Sequence, residues 1–225
     1  PVLFCGTPCQ VEGLLCYLNK PYENLFTLDF ICHGVPSPKA WQEYIKYQEK
    51  AFSSEACSAS FRDKSNGWCS FSSVLKFANK TEYTEIHHND VYMKAFLKNI
   101  SLRKTCYHCE FKGVNRNSDI TMGDLWGIKN ILPHITDDKG VSVAFVQSAK
   151  GAYLLEQVKN CLWLQEISSD LVIANNSAMV KSVYEHNLRD YFFKYLGKQN
   201  FGKLVEDCLN PSYYVRLKRK LFLHM

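Results

Sequence analysis

No apolar run in this chain approaches the roughly 18 residues a helix needs to cross a bilayer, so no membrane span is expected and any membrane association is peripheral. Charge of one sign is also lacking: 27 Lys and Arg stand against 22 Asp and Glu, a net charge of only +5. Four of the cations, Arg216, Lys218, Arg219 and Lys220, crowd the last stretch and read as a solvated helix end. No basic face with interleaved aromatics accompanies them, so no nucleic acid is expected as a partner. There is no low-complexity segment, and no repeat beyond one early pair of strand–loop–helix units.

The chain does have material for a core. At 225 residues and 46% hydrophobic composition it can bury one large domain, or a domain with an appended helical part. Ten cysteines are many for this length. A Cys-x-x-Cys pair and the clustering of the thiols argue for a reducing compartment rather than a disulfide framework, which places the protein in the cytoplasm. The chain opens at Pro1 directly into an apolar strand pattern at residues 2–4. Domains seldom begin inside a buried strand, so the sequence reads as N-terminally truncated.

The expected fold class is α/β with mixed α+β character: strand–loop–helix units on a parallel sheet, an antiparallel meander and a helical C-terminal part. Residues 2–4 form the first strand. Thr7 is the N-cap of the following helix, with Pro8 at its first position, Gln10 completing a capping box, and Val11, Leu14, Leu15 and Leu18 as the apolar face. The second unit repeats the plan, with a strand over 25–31, a loop over 32–36 and a helix capped by Ser37-Pro38 that carries Trp41, Tyr44, Ile45 and Gln48 on one side. A parallel crossover would put both loops at the carboxyl edge of one sheet, where open α/β sheets bind ligands. Short strands at 56–62, 69–77 and 81–86, separated by Asn66-Gly67 and Asn79-Lys80, predict the meander. A helix over 91–99 follows, then a strand at 119–122 ending in a tight turn at Gly123-Asp124, a strand at 141–147 and a helix at 151–161. Helical patterns dominate from Asn176 onward. The domain reading is residues 1–165 as the site-bearing domain and 166–225 as a helical C-terminal extension.

Cysteines carry the strongest chemical signal. Cys9 in the first loop, Cys32 in the second, and the pair Cys106 and Cys109 could bring four thiolates to one metal. The spacing suits an iron–sulfur cluster and structural zinc alike. Cys5, Cys16, Cys57, Cys69, Cys161 and Cys208 read as small core residues. A second motif runs from Arg116 through Ser118, Thr121, Gly123, Asp124 and Trp126 to Gly127. It offers a phosphate clamp at Arg116, two hydroxyls and glycines for close approach, or else it is an ordinary hairpin end with a satisfied aspartate. A third, Phe61 to Trp68, sets Arg62 and Lys64 around a turn, either as a solvated turn or as a wall for an anionic or flat cofactor. His33 and His108 adjoin ligand candidates and read as passive structural residues.

Taken in order, Gly-Thr-Pro-Cys-Gln at 6–10, Cys-His-Gly at 32–34, Phe-Arg-Asp-Lys with Gly-Trp over 61–68, Cys106-x-x-Cys109 and the 116–127 segment resemble the coenzyme F-420 hydrogenase/dehydrogenase beta-subunit family in its C-terminal region. The resemblance covers the first two-thirds of the chain; hydroxymethyl chlorophyll reductases are similar more distantly. It implies an oxidoreductase, an iron–sulfur flavoprotein with a 4Fe–4S cluster on Cys9, Cys32, Cys106 and Cys109 beside a flavin, usually FAD. Lys64, Trp68, Ser118, Thr121, Gly123 and Asp124 would lie near the flavin. It further implies electron transfer to or from a second redox partner, whether a ferredoxin-like domain or protein, a deazaflavin or a nicotinamide. A zinc-stabilised or cluster-holding binding module without catalysis is the alternative.

Overall fold

The computed structural model describes residues 1–135, 137–213 and 215. The basic cluster Arg216, Lys218, Arg219 and Lys220 lies outside the described residues. The strands are β1 (Val2–Cys5), β2 (Leu25–Phe30), β3 (Ala56–Asp63), β4 (Ser72–Phe77), β5 (Glu82–Ile86), β6 (Ile120–Asp124) and β7 (Ser142–Val146). The α-helices are α1 (Pro8–Leu18), α2 (Pro38–Phe52), α3 (Val91–Leu97), α4 (Ile128–Ile131), α5 (Ala149–Val158), α6 (Ser169–Asn175), α7 (Arg189–Tyr195) and α8 (Phe201–Leu209). The fold is thus α/β of mixed character, with helices in its C-terminal part. These elements form two compact units, Pro1–His33 with His108–Ser182, and Gly34–Tyr107 with Val183–Met225.

The first unit carries a sheet of order β1-β2-β6-β7. Its first three strands are parallel, with Cys5 opposite Leu28 and Asp29 opposite Thr121, and β7 runs antiparallel to β6. Capping chemistry starts α1 where the sequence predicts it: Gln10 Oε1 accepts the Thr7 N–H at 2.9 Å, and Pro8 opens the first turn. Two expectations are corrected here. β1 is an edge strand, so Val2 and Leu3 are 56% and 57% exposed rather than buried. Gly123 and Asp124 do not turn but extend β6, because β7 supplies a partner for them at Val143 and Ser142. A Cβ on Gly123 would stand 2.7 Å from Ile31 Cδ1, so the strand needs glycine there to lie against the end of β2.

In the second unit β3, β4 and β5 form the predicted meander, with Gly67 at φ 92 and Lys80 at φ 67 in the connections. Its core gathers Tyr44, Leu75, Ile100, Phe192 and Leu204 from α2, β4, α7, α8 and the chain after α3, all 2% exposed or less. Asp90, fully buried, caps α3 by accepting the Met93 N–H at 2.8 Å and also accepts the hydroxyls of Tyr44 at 2.7 Å and Tyr83 at 2.9 Å. Of the cysteines expected in the core only Cys208 is buried; Cys5, Cys16, Cys57, Cys69 and Cys161 are exposed, since they sit on edge strands, outer helix faces or turns. Among the described residues no helix is long and apolar enough to cross a membrane.

Candidate functional site

Two of the four cysteine positions are set by neighbouring parallel strands of the first unit. Gly6 N–H donates to the Leu28 carbonyl at 3.0 Å and Ile31 N–H to that of Met122 at 2.8 Å, so the loops after β1 and β2 leave one sheet edge while still in register. That is the carboxyl edge, where parallel sheets bind ligands. Cys9 is exposed in the first turn of α1, with its Sγ 3.1 Å from Thr7 Oγ1. The helix dipole favours negative charge there. Cys32 is half-buried, and its carbonyl accepts a hydrogen bond from Lys112 Nζ.

The segment after the cysteine pair is tied down tightly. Cys109 N–H donates to Ser182 Oγ at 3.0 Å, and that hydroxyl in turn reaches the Cys109 carbonyl at 3.4 Å. Lys112 Nζ also donates to the Ala178 carbonyl at 2.6 Å, and Gly113 N–H to that of Met179 at 2.9 Å. Arg116 does not offer a phosphate clamp. Its guanidinium pairs with Asp29 at 3.1 Å and donates to the carbonyls of Gly113, Phe30 and Met179 at 3.2, 3.2 and 3.4 Å, leaving the side chain 5% exposed.

Ser118 and Thr121 are buried, with their hydroxyls 3.4 Å apart, and Gln147 Nε2 donates to Thr121 Oγ1 at 3.4 Å. Asp119 beside them accepts the Thr27 N–H and hydroxyl at 2.8 and 3.1 Å, together with the Ser148 hydroxyl. One face of β2 and β6 is therefore a buried polar layer. Gly123 and Asp124 close β6 at the same edge as the two loops.

In the second unit Cys106 is half-buried within a 3-10 turn, Lys104–His108, and its Sγ accepts the Val35 N–H at 3.4 Å. Such N–H···S contacts stabilise charge on sulfur. Tyr107 beside it donates to the Asn99 carbonyl at 2.7 Å; burial raises its pKa, opposed by the Arg189 guanidinium 5.5 Å from its ring centre. In the 61–68 motif Lys64 is exposed and Trp68 is 3% exposed. Asp63 accepts the Ser65 hydroxyl and N–H, which hold its carboxyl below the usual carboxylate range.

Thus Cys9, Cys32, Cys109, Ser118, Thr121, Gly123 and Asp124 belong to the first unit, and Cys106, Lys64 and Trp68 to the second. Among the described residues no three His, Cys, Asp or Glu side chains form a group that could hold a metal ion. By donor chemistry the four thiols, none in a disulfide, fit an iron–sulfur cluster and structural zinc alike; Cys9 Sγ lies beside a hydroxyl and Cys106 Sγ accepts a backbone N–H. Sequence reasoning missed Lys112, Ser182 and Asp29. Only Asp29 left a signal, as a charged residue inside the otherwise apolar and hydroxyl-bearing strand at 25–31.

Residues 1–170 match the family model for the C terminus of the coenzyme F420 hydrogenase/dehydrogenase beta subunit. No curated protein matches the chain.

Proposed function

Because the chain belongs to the coenzyme F420 hydrogenase/dehydrogenase beta-subunit family, a family of oxidoreductase subunits, we propose that it is an iron–sulfur flavoprotein passing electrons between a 4Fe–4S cluster and a flavin, and on to a second redox partner. Cys9, Cys32, Cys106 and Cys109 are the cluster ligands. Lys64, Trp68, Ser118, Thr121, Gly123 and Asp124 form the flavin environment, FAD being the form expected. The partner is a ferredoxin-like domain or protein, a deazaflavin or a nicotinamide, and the compartment is the cytoplasm.

One observation carries the reading: β1 and β2 are adjacent and parallel, so the loops bearing Cys9 and Cys32 start side by side at the carboxyl edge where β6 ends in Gly123-Asp124. When bound together, the cluster takes one electron at a time and the flavin one or two, which lets such a site join one-electron and two-electron chemistry. The protein supplies orientation and charge. Thr7 Oγ1 and the Val35 N–H sit on the sulfurs of Cys9 and Cys106, Lys112 fixes the Cys32 backbone, and Ser182 fixes that of Cys109.

The test is anaerobic purification of the full chain, with iron, acid-labile sulfide, zinc and released flavin measured per chain. Iron and sulfide in equal amounts with bound flavin support the reading. Stoichiometric zinc without iron or flavin would overturn it in favour of a structural module, and a cluster without flavin would reduce it to a binding or sensing domain.

A further inference from the structure

The family match ends at residue 170, yet the backbone that holds two of the proposed ligand loops lies beyond it. Residues 177–182 begin with a 3-10 turn, Ser177–Met179, anchored by Met179, which is fully buried, and joined to α6 through Asn176, whose side chain donates to the Val172 carbonyl at 3.1 Å. From this turn Ser182 Oγ meets the Cys109 N–H, while the carbonyls of Ala178 and Met179 receive Lys112, Gly113 and Arg116. The same two cations reach across to β2's end, Lys112 to the Cys32 carbonyl and Arg116 to that of Phe30. Lys112 therefore hydrogen-bonds both the backbone of a ligand cysteine and the 177–182 turn.

Resting on the function proposed above, we infer that residues 177–182 are a template that holds the Cys32 and Cys109 loops at a fixed separation, and that Lys112 is its positioning residue and adds a positive charge beside the cluster. Two effects follow. Without the lysine the loops lose their common anchor, so the bound cluster becomes easier to strip. Without its charge the reduced, more negative cluster is less stabilised, so the midpoint potential moves down.

Lys150 provides an internal control. Its Nζ donates to the carbonyls of Tyr22 and Leu25, the same kind of backbone staple on the same sheet, but at the opposite end of β2 from Cys32. The experiment compares Lys112→Met, Lys112→Arg, Ser182→Ala and Lys150→Met in the full chain, reconstituted anaerobically. Its readouts are iron per chain, the rate of iron loss to a ferrous chelator, and the midpoint potential by EPR-monitored titration. Lys112→Met should lose iron about tenfold faster, at the lower end of what outer-shell partners contribute to metal sites, and shift the potential negative. Lys112→Arg should restore both, Ser182→Ala should speed iron loss alone, and Lys150→Met should change neither. Wild-type rates and potential in Lys112→Met, or an equal shift in Lys150→Met, overturn the inference and leave the proposed function standing. If Lys112→Met does not fold, a wild-type rate in Ser182→Ala overturns it instead. A wild-type protein that binds no iron overturns both readings.

Discussion

Arg116 and Asp29 form an ion pair at 3.1 Å in which the two side chains are only 5% and 2% exposed. The second carboxylate oxygen of Asp29 has no hydrogen-bond partner among the described residues, so the guanidinium carries the whole charge compensation. Arg116→Ala should therefore cost about 3–5 kcal/mol, the usual penalty for stranding a buried charge. Pairing it with Asp29→Asn should return part of that loss. Denaturant midpoints of the single and double variants check it.

Cluster incorporation separates ligands from bystanders. Cys109→Ala should lose iron and sulfide altogether, whereas Cys161→Ala, an exposed thiol in the turn after α5, should keep both. Metal analysis of the two purified variants decides; equal loss from both would refute the ligand assignment.

Asp90→Ala removes a helix cap and leaves the buried Tyr44 O–H without its acceptor, the hydroxyl keeping only the bond it accepts from Gln48 Nε2. A cap is worth about 1 kcal/mol, and an unsatisfied buried donor about 1–3 kcal/mol. A total loss of about 3 kcal/mol is expected from chemical denaturation, with Tyr44→Phe recovering a fraction of it in the double variant.

Alkali should unfold the second unit. Burial, with the Asp90 charge added, raises Tyr92 to about 12 and pushes Tyr44 and Tyr83 higher still, while burial raises Cys208 to about 12. These groups are neutral when folded, and in the unfolded chain they ionise near their ordinary values of 10.0 and 9.0. Their stabilisation is therefore complete below about pH 9 and is lost as pH climbs toward and through the raised values. The tyrosinate absorbance contributed by these buried residues should rise together with the loss of far-UV circular dichroism, as a step separate from that of exposed tyrosines such as Tyr17 and Tyr184.

Two glycine-to-alanine changes should have opposite signs. Gly13 lies inside α1 with nothing within 4 Å of the methyl that alanine would add, so Gly13→Ala should raise stability by about 1 kcal/mol. At Gly151 a Cβ would stand 2.0 Å from the Asp119 carbonyl oxygen, so Gly151→Ala must push α5 off β6 and should fail to give stable protein. Thermal melts distinguish them.

Much of this architecture was legible because the signals were local. Thr7, Pro8 and Gln10 marked a helix start, Asn66-Gly67 and Asn79-Lys80 marked hairpin connections, and the two strand–loop–helix units foretold the parallel pair β1 and β2. Where the reading failed, the deciding partner was far away in sequence. Gly123 and Asp124 look like a turn until β7 arrives to pair with them, and Val2 and Leu3 look buried until the strand order leaves β1 at an edge. Arg116 looked available to a ligand because nothing near it in sequence announces Asp29 or the Met179 carbonyl. Lys112 and Ser182 act on backbone atoms, and side-chain patterns do not encode backbone acceptors.

The threading of the chain sets an order of events during synthesis. Thr27 on β2 meets Asp119 only after a further 92 residues have been made, and all of the second unit's sheet is translated in between. The nascent polypeptide must therefore carry Cys9 and Cys32 uncovered while a whole meander folds, and closing so long a loop is slow. On the function proposed above, a cell making this protein has reason to load iron late, once the ribosome has passed Ser182, and to shield Cys9 and Cys32 from oxygen until then.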